Sequence, residues 1–124
     1  ILVNNAAAAF YLPFTGTSEK RFRVAINIYY YAPWRLSQLV LPGMQQRGEG
    51  WILNISSATS VHPKQPYSDF DAVSGLYGST KAALERFTAS LAAATRKDGI
   101  WANTMAPVGA VPTEGTEALG VVPD

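Results

Sequence analysis

Three short apolar runs separated by two long helical patterns most constrain the fold of this chain. The runs cover residues 1–3, 51–55 and 100–106, and each is short enough for a buried parallel strand. A helical crossover returns the chain to the starting end of a sheet, so the strands that it joins run parallel. The sequence therefore predicts an α/β fold in which one parallel sheet is built by two crossover helices.

The first helical pattern follows a loop that includes Phe10 and ends near Gly16. Thr17 or Ser18 can cap it. Apolar side chains then recur at helical spacing until residues 42–43 and Gly48, which we expect to break the helix. Pro33 has no N–H for the carbonyl four residues back, so we predict one long helix with a bend at that point.

The second helical pattern extends to about Lys97, and Gly99 is its expected stop. Residues 58–74 ahead of it are predicted to be a 17-residue loop, which is long for a connection between strand and helix. Its segment 62–71 would either shape the rim of a site or form a disordered surface excursion. His62, the only histidine, has no second ligand at metal-binding spacing and is expected to be a solvated loop residue.

Tyr77 and Lys81 are four residues apart in the second helical pattern, so their side chains share one face. A neighbouring ammonium favours the phenolate, and we therefore expect a Tyr77 pKa lowered toward a value useful for proton transfer. The pair alone is weak evidence, because a chain with six tyrosines contains this spacing by chance about one time in five.

Polar pairs follow the first two apolar runs. Asn4 and Asn5 end the first, and Ser56 and Ser57 end the second. At the carboxyl ends of parallel strands such side chains can bind a ligand, and a serine hydroxyl there can stabilise charge on a carbonyl oxygen. The alternative for both pairs is ordinary turn chemistry.

Four ordered motifs together resemble the short-chain dehydrogenase/reductase family. They are Asn4-Asn5-Ala6-Ala7, Asn54-Ile55-Ser56-Ser57, Tyr77-Gly78-Ser79-Thr80-Lys81 and the segment 106–113. The resemblance implies that the three strands are strands four to six of a doubly wound, Rossmann-type parallel sheet. It also implies an oxidoreductase that moves hydride between the nicotinamide of NAD or NADP and a small-molecule carbonyl or secondary alcohol.

The same resemblance assigns roles to individual residues. Tyr77 would be the general acid/base, Lys81 would lower its pKa and contact the nicotinamide ribose, and Ser57 would hold the substrate oxygen. Asn27 would position a water in a proton relay; its alternative is a buried amide satisfied by backbone freed at the bend. The implied cofactor-binding residues are Asn4, Asn5, Ala6, Tyr77, Lys81, Pro107, Val111 and Thr113.

The resemblance further implies a homodimer or homotetramer, and it leaves part of the family domain unaccounted for. No G-x-x-x-G-x-G turn for the pyrophosphate occurs in the 124 residues. We therefore expect residues 1–124 to be the catalytic part of a larger domain, unstable or associating when alone and poor at binding cofactor. Two alternatives stay open: a relative that binds cofactor or acts as a scaffold without turnover, and a partial reading frame with no independent function.

Composition excludes several other classes of protein. The net charge is +1 without a charge run, which argues against a nucleic-acid or acidic membrane partner. The chain has no cysteine, so disulfides and thiolate metal sites are impossible. No apolar run reaches the ~20 residues of a membrane span, and no secretory leader pattern is present. A cytoplasmic protein is the expectation.

Overall fold

A computed structural model describes residues 1–8, 11–118 and 120. Three strands form one sheet in the order β1-β2-β3, and both pairings are parallel. The predicted α/β fold and its Rossmann-type crossover pattern are confirmed. The elements in chain order are β1 (Leu2–Asn4), α1 (Glu19–Ile26), α2 (Ala32–Arg47), β2 (Gly50–Ile55), α3 (Asp69–Thr95), β3 (Ile100–Met105) and α4 (Glu114–Ala118).

The core lies between one face of the sheet and helices α2 and α3. Side chains alternate across a strand, so Ile52, Ile100 and Ala102 face the helices while their neighbours face away. Leu84 is 1% exposed and supplies the centre of the α3 contact. The core cluster consists of Met44, Ile52, Leu84, Phe87, Leu91, Ile100 and Ala102.

The opposite face of the sheet is apolar and exposed. Trp51 and Trp101 are direct partners in neighbouring strands, and they are 47% and 57% exposed. Val3 and Met105 are exposed on the same face. Strands with apolar side chains at both sets of alternating positions are typical of parallel sheets that are covered on both faces.

The first crossover helix is continuous but changes its winding. A π-helical turn, Asn27–Tyr31, joins α1 to α2 ahead of Pro33, and the amide of Ala32 donates to the carbonyl of Asn27. The wider turn accommodates the missing proline N–H without a break. The expected break at residues 42–43 is wrong, because Pro42 lies inside α2, which ends only at the left-handed Gly48.

The predicted 17-residue loop before Tyr77 is also wrong in extent. Helix α3 begins at Asp69, so residues 69–74 are helical, and Ala58–Ser60 form a short 3-10 turn. The reason is a capping box: the Ser68 hydroxyl accepts from the Asp71 amide, and the Asp71 carboxylate accepts from the Ser68 amide. His62 lies exposed in the remaining loop.

The other ends agree closely with the sequence pattern. Ser18 caps α1 by accepting from the amide of Arg21, and α3 gives way to a 3-10 turn, Arg96–Asp98, before the left-handed Gly99. Phe10 and the end of the tail (119 and 121–124) lie outside the described residues. Within the described ranges, none of the helices has the length and apolarity needed to cross a bilayer.

Candidate active site

The fold brings the first three sequence motifs to the carboxyl ends of β1 and β2. A buried chain of hydrogen bonds fixes the two strands to α3: the Asn4 amide donates to the Asn54 side chain at 2.7 Å, and Asn54 donates to Thr88 at 2.8 Å. Asn54 is fully buried, so both of its bonds replace lost water contacts. Asn4 is thereby held at the edge of the site, whereas Asn5 and Ala6 are exposed beside it.

Lys81 is the buried charge of the site, only 4% exposed. Its ammonium donates to the Ile55 carbonyl at 2.7 Å and lies 5.5 Å from the centre of the Tyr77 ring. Burial disfavours the charged form and lowers the pKa of Lys81 to about 8. The Lys81 ammonium therefore loses its proton at a lower pH than an ordinary lysine does.

Tyr77 departs from the expectation of a lowered pKa. Its pKa is raised, because burial of the phenol outweighs the opposing hydrogen bond with the Ser57 hydroxyl. Lys81 does not offset the burial, since its ammonium is directed at the Ile55 carbonyl and itself loses charge readily. In this structure the phenol is a protonated group, suited to donate a proton.

Ser57 is oriented by the 3-10 turn that follows it. Its oxygen accepts from the amide of Thr59 at 3.3 Å and from the Thr59 hydroxyl at 3.0 Å. Because those bonds use the oxygen as an acceptor, the Ser57 hydroxyl can donate its own proton to the Tyr77 phenol.

Ser56 has a different role from its neighbour. Its hydroxyl donates to the Glu85 carboxylate, which also accepts from the Ser60 hydroxyl at 2.7 Å. Glu85 thus ties both ends of the segment that carries Ser57 to α3. Sequence reasoning missed Glu85, because its partners Ser56 and Ser60 lie 29 and 25 residues away in the chain.

Tyr29 is the second residue that sequence reasoning missed. Its ring lies 4.7 Å from the Lys81 ammonium and packs edge-on against Tyr77, with ring centres 5.2 Å apart. Tyr11 adds a further edge contact to Tyr77 at 5.4 Å. Neither contact could be predicted from local sequence, because both join residues far apart in the chain.

Asn27 does not have the environment predicted for it. It is exposed, so the alternative of a buried amide satisfied at the bend is wrong. Asn27 is the first residue of the π-helical turn, and the buried residue of that turn is Tyr29. The Asn27 carbonyl accepts the bond from Ala32. The role of Asn27 in holding a relay water that leads to Lys81 stays a prediction.

The tail residues form a separate local cluster. Thr113 accepts from the amide of Thr116, and the Thr116 hydroxyl donates to the Val111 carbonyl at 2.7 Å, which together cap α4. Among the described residues, no hydrogen bond joins Pro107, Val111 or Thr113 to Tyr77 or Lys81. Their cofactor contacts stay predictions.

A cavity of about 50 Å³ adjoins the Lys81 ammonium and is lined by Asn4, Ala6, Tyr29 and Ile55, among others. An ammonium has three protons, and Ile55 is its one recorded acceptor in the described part of the chain. The remaining protons can bind hydroxyl groups of a ligand. The described ranges hold no cluster of three or more metal-ligating side chains.

The depressed pKa of Lys81 predicts a pH-dependent stability. Between about pH 8 and pH 10.5, the unfolded chain keeps a proton that the folded chain has lost, so the free energy of unfolding rises with pH. Above about pH 10 the opposite holds for Tyr29, whose pKa is raised to about 12. Denaturant unfolding should therefore show stability that increases from pH 8 to 10, and Lys81→Met should flatten that slope. An equal slope in Lys81→Met would contradict the assignment.

Comparison with known proteins connects this geometry to one family. A family model described as short chain dehydrogenase matches residues 1–120. A tropinone reductase homolog of Arabidopsis thaliana is 37% identical over 107 residues, which are 86% of this chain and 38% of the relative. The chain spans about a third of the length of the curated relatives that it matches.

Solved structures agree in fold. A short-chain dehydrogenase from Streptomyces avermitilis is 34% identical with a TM-score of 0.80, covering 91% of this chain and 39% of that one. A gluconate 5-dehydrogenase from Burkholderia cenocepacia, solved with NADP and tartrate, is 28% identical with a TM-score of 0.83, covering 96% of this chain and 44% of that one.

Proposed function

Because the chain belongs to the short-chain dehydrogenase/reductase family, we propose that it carries the catalytic residues of an NAD- or NADP-dependent oxidoreductase acting on a carbonyl or secondary alcohol. The observation that carries the proposal is the juxtaposition of the Tyr77 phenol, the Ser57 hydroxyl and the buried Lys81 ammonium at the ends of the strands.

Each residue has a separate task in the reduction direction. A reduced nicotinamide, when bound, would supply the hydride that the carbonyl carbon accepts. Tyr77 donates its phenolic proton to the carbonyl oxygen as the C=O bond becomes C–OH, and Ser57 donates a hydrogen bond to that oxygen. Lys81 would bind the nicotinamide ribose, and Asn27 would hold the water that returns the proton. Alcohol oxidation reverses these transfers.

The cofactor would be held at its nicotinamide end. The Lys81 ammonium has protons left for ribose hydroxyls, and Asn4 and Ala6 line the adjoining cavity. Asn5, Tyr77, Pro107, Val111 and Thr113 complete the proposed contacts. The pyrophosphate would need a phosphate-binding turn that is not among these 124 residues.

Residues 1–124 are proposed to act as the catalytic part of the family domain. The complete assembly is proposed to be a homodimer or homotetramer that pairs through α2 and α3. Ala89 and Ala93 are exposed on α3 and would permit close approach of a second helix.

The test is a turnover assay on the protein as it is naturally expressed. NADH and NADPH are each supplied with a panel of ketones, aldehydes and secondary alcohols in both directions, and the absorbance of the reduced nicotinamide is followed. Turnover with at least one pair is expected. Binding of nicotinamide without turnover across the panel would favour the scaffold alternative, and absence of both binding and turnover would overturn the proposal.

A further inference from the structure

We propose that Tyr29 is a positioning residue of this site, which fixes the loop after β1 and the Lys81 ammonium relative to each other. The inference rests on the proposed function and names a residue that none of the four motifs contains. Two independent contacts carry it, one made by the hydroxyl and one by the ring.

The hydroxyl of Tyr29 anchors the loop after β1. Its oxygen accepts from the amide of Ala8 at 2.9 Å, across 21 residues of sequence, and Tyr29 is only 1% exposed. Ala8 closely follows the Asn4-Asn5-Ala6 segment that is proposed to border the cofactor. Loss of the hydroxyl would leave the Ala8 amide without this acceptor and would loosen that border.

The ring of Tyr29 faces the catalytic pair. Its centre lies 4.7 Å from the Lys81 ammonium, within the range at which an aromatic ring attracts a cation. Its near-perpendicular packing on Tyr77, at an interplanar angle of 76°, is a favourable aromatic arrangement. Tyr29 therefore touches both members of the pair from a different helical segment.

The π-helical turn places Tyr29 in this position. Tyr29 is the central residue of Asn27–Tyr31 and its buried one. An extra residue in one helical turn changes the directions of the following side chains by about 100° around the helix axis, relative to a regular α-helix. In a regular α-helix, the side chain at position 29 would therefore point in a different direction. The π-helical turn allows Tyr29 to contact Lys81 and Tyr77.

Among the described residues, the other groups that face Lys81 are neutral. Tyr77 faces it from α3, the Ile55 carbonyl from β2, and the Asn4 amide lines the same cavity from β1. Glu85, one turn further along α3, binds Ser56 and Ser60. No carboxylate lines the cavity among the residues described, so the Tyr29 ring and the Ile55 carbonyl are the groups that favour the charged lysine.

The experiment separates the hydroxyl from the ring in the protein as it is naturally expressed. Tyr29→Phe removes only the hydroxyl, and Tyr29→Leu removes the ring. Tyr30→Phe and Tyr30→Leu are matched controls, because Tyr30 is the next residue and packs on Trp34 and Phe87 instead. The readouts are the dissociation constant of NADH and NADPH and the NMR titration of Lys81 with ¹³C-labelled lysine.

Tyr29→Phe should weaken nicotinamide binding by about 2- to 10-fold and leave the Lys81 titration unchanged. Tyr29→Leu should shift that titration to lower pH by about 0.5 units, because the cation loses its aromatic partner while the site stays apolar. The Tyr30 controls should alter neither.

Unchanged nicotinamide affinity in Tyr29→Phe would overturn the proposal. It would also be overturned if Lys81 in Tyr29→Leu titrated at the same pH as in the wild-type protein, or at a higher one. If Tyr29→Leu fails to fold, the nicotinamide affinity of Tyr29→Phe still tests the proposal. If the wild-type protein binds no nicotinamide, the proposed function fails, and the Lys81 titration still tests the ring contact by itself.

Discussion

Replacing Tyr77 with Phe is expected to lower the rate of carbonyl reduction by at least about 10²-fold, the scale of general acid catalysis. The change removes only the proton donor. The ring remains, and with it the edge contacts to Tyr11 and Tyr29, so the fold and the cofactor site should persist. Single-turnover reduction under saturating nicotinamide measures this step directly.

Tyr30→Phe is the control for this substitution. It removes only the hydroxyl of a half-buried tyrosine. The ring of Tyr30 packs on Trp34 and Phe87 and takes no part in the proposed site. Its rate should match that of the wild-type protein. A Tyr77→Phe rate equal to that of the control would show that another group protonates the product.

Gly78→Ala is expected to lower turnover by about 10- to 100-fold. A methyl group at Gly78 would lie 2.5 Å from the Thr59 carbonyl, and backbone cannot move aside as a flexible side chain can. The displaced turn holds the Ser57 hydroxyl through two bonds from Thr59, so Ser57 should move relative to Tyr77. Misplacement of a reacting group by about 1 Å can cost this much in rate.

Gly75→Ala is a control on the same helix. A methyl group at Gly75 would meet nothing within 4 Å, so the helix should gain up to about 1 kcal/mol without loss of turnover. Thermal melting and turnover of both variants give the comparison. Gly75→Ala should raise stability and keep full activity. If Gly78→Ala did the same, the close approach of α3 to the Thr59 turn would not be needed to position Ser57.

The spacing of a sequence motif does not determine the pKa values of its side chains. The spacing of Tyr77 and Lys81 correctly placed both on one side of α3, yet the pKa of Tyr77 is raised where the pair alone predicted a lower value. Burial depends on what packs over the helix, and the Ile55 carbonyl that draws the ammonium comes from another strand. Neither the burial of Tyr77 nor the position of the Ile55 carbonyl can be predicted from the spacing of Tyr77 and Lys81.

The sequence by itself determined the three strands, the two crossover helices, the stops at Gly48 and Gly99, and the residues of the family motifs. These features depend on periodicity and on backbone preferences of single residues, which act over a few positions. Only the tertiary structure decided that Asn27 is exposed, that Glu85 binds Ser56 and Ser60, and that Tyr29 lies against Lys81. Each of those depends on contacts between segments distant in the chain or on a change of helical winding, and local sequence does not encode either one.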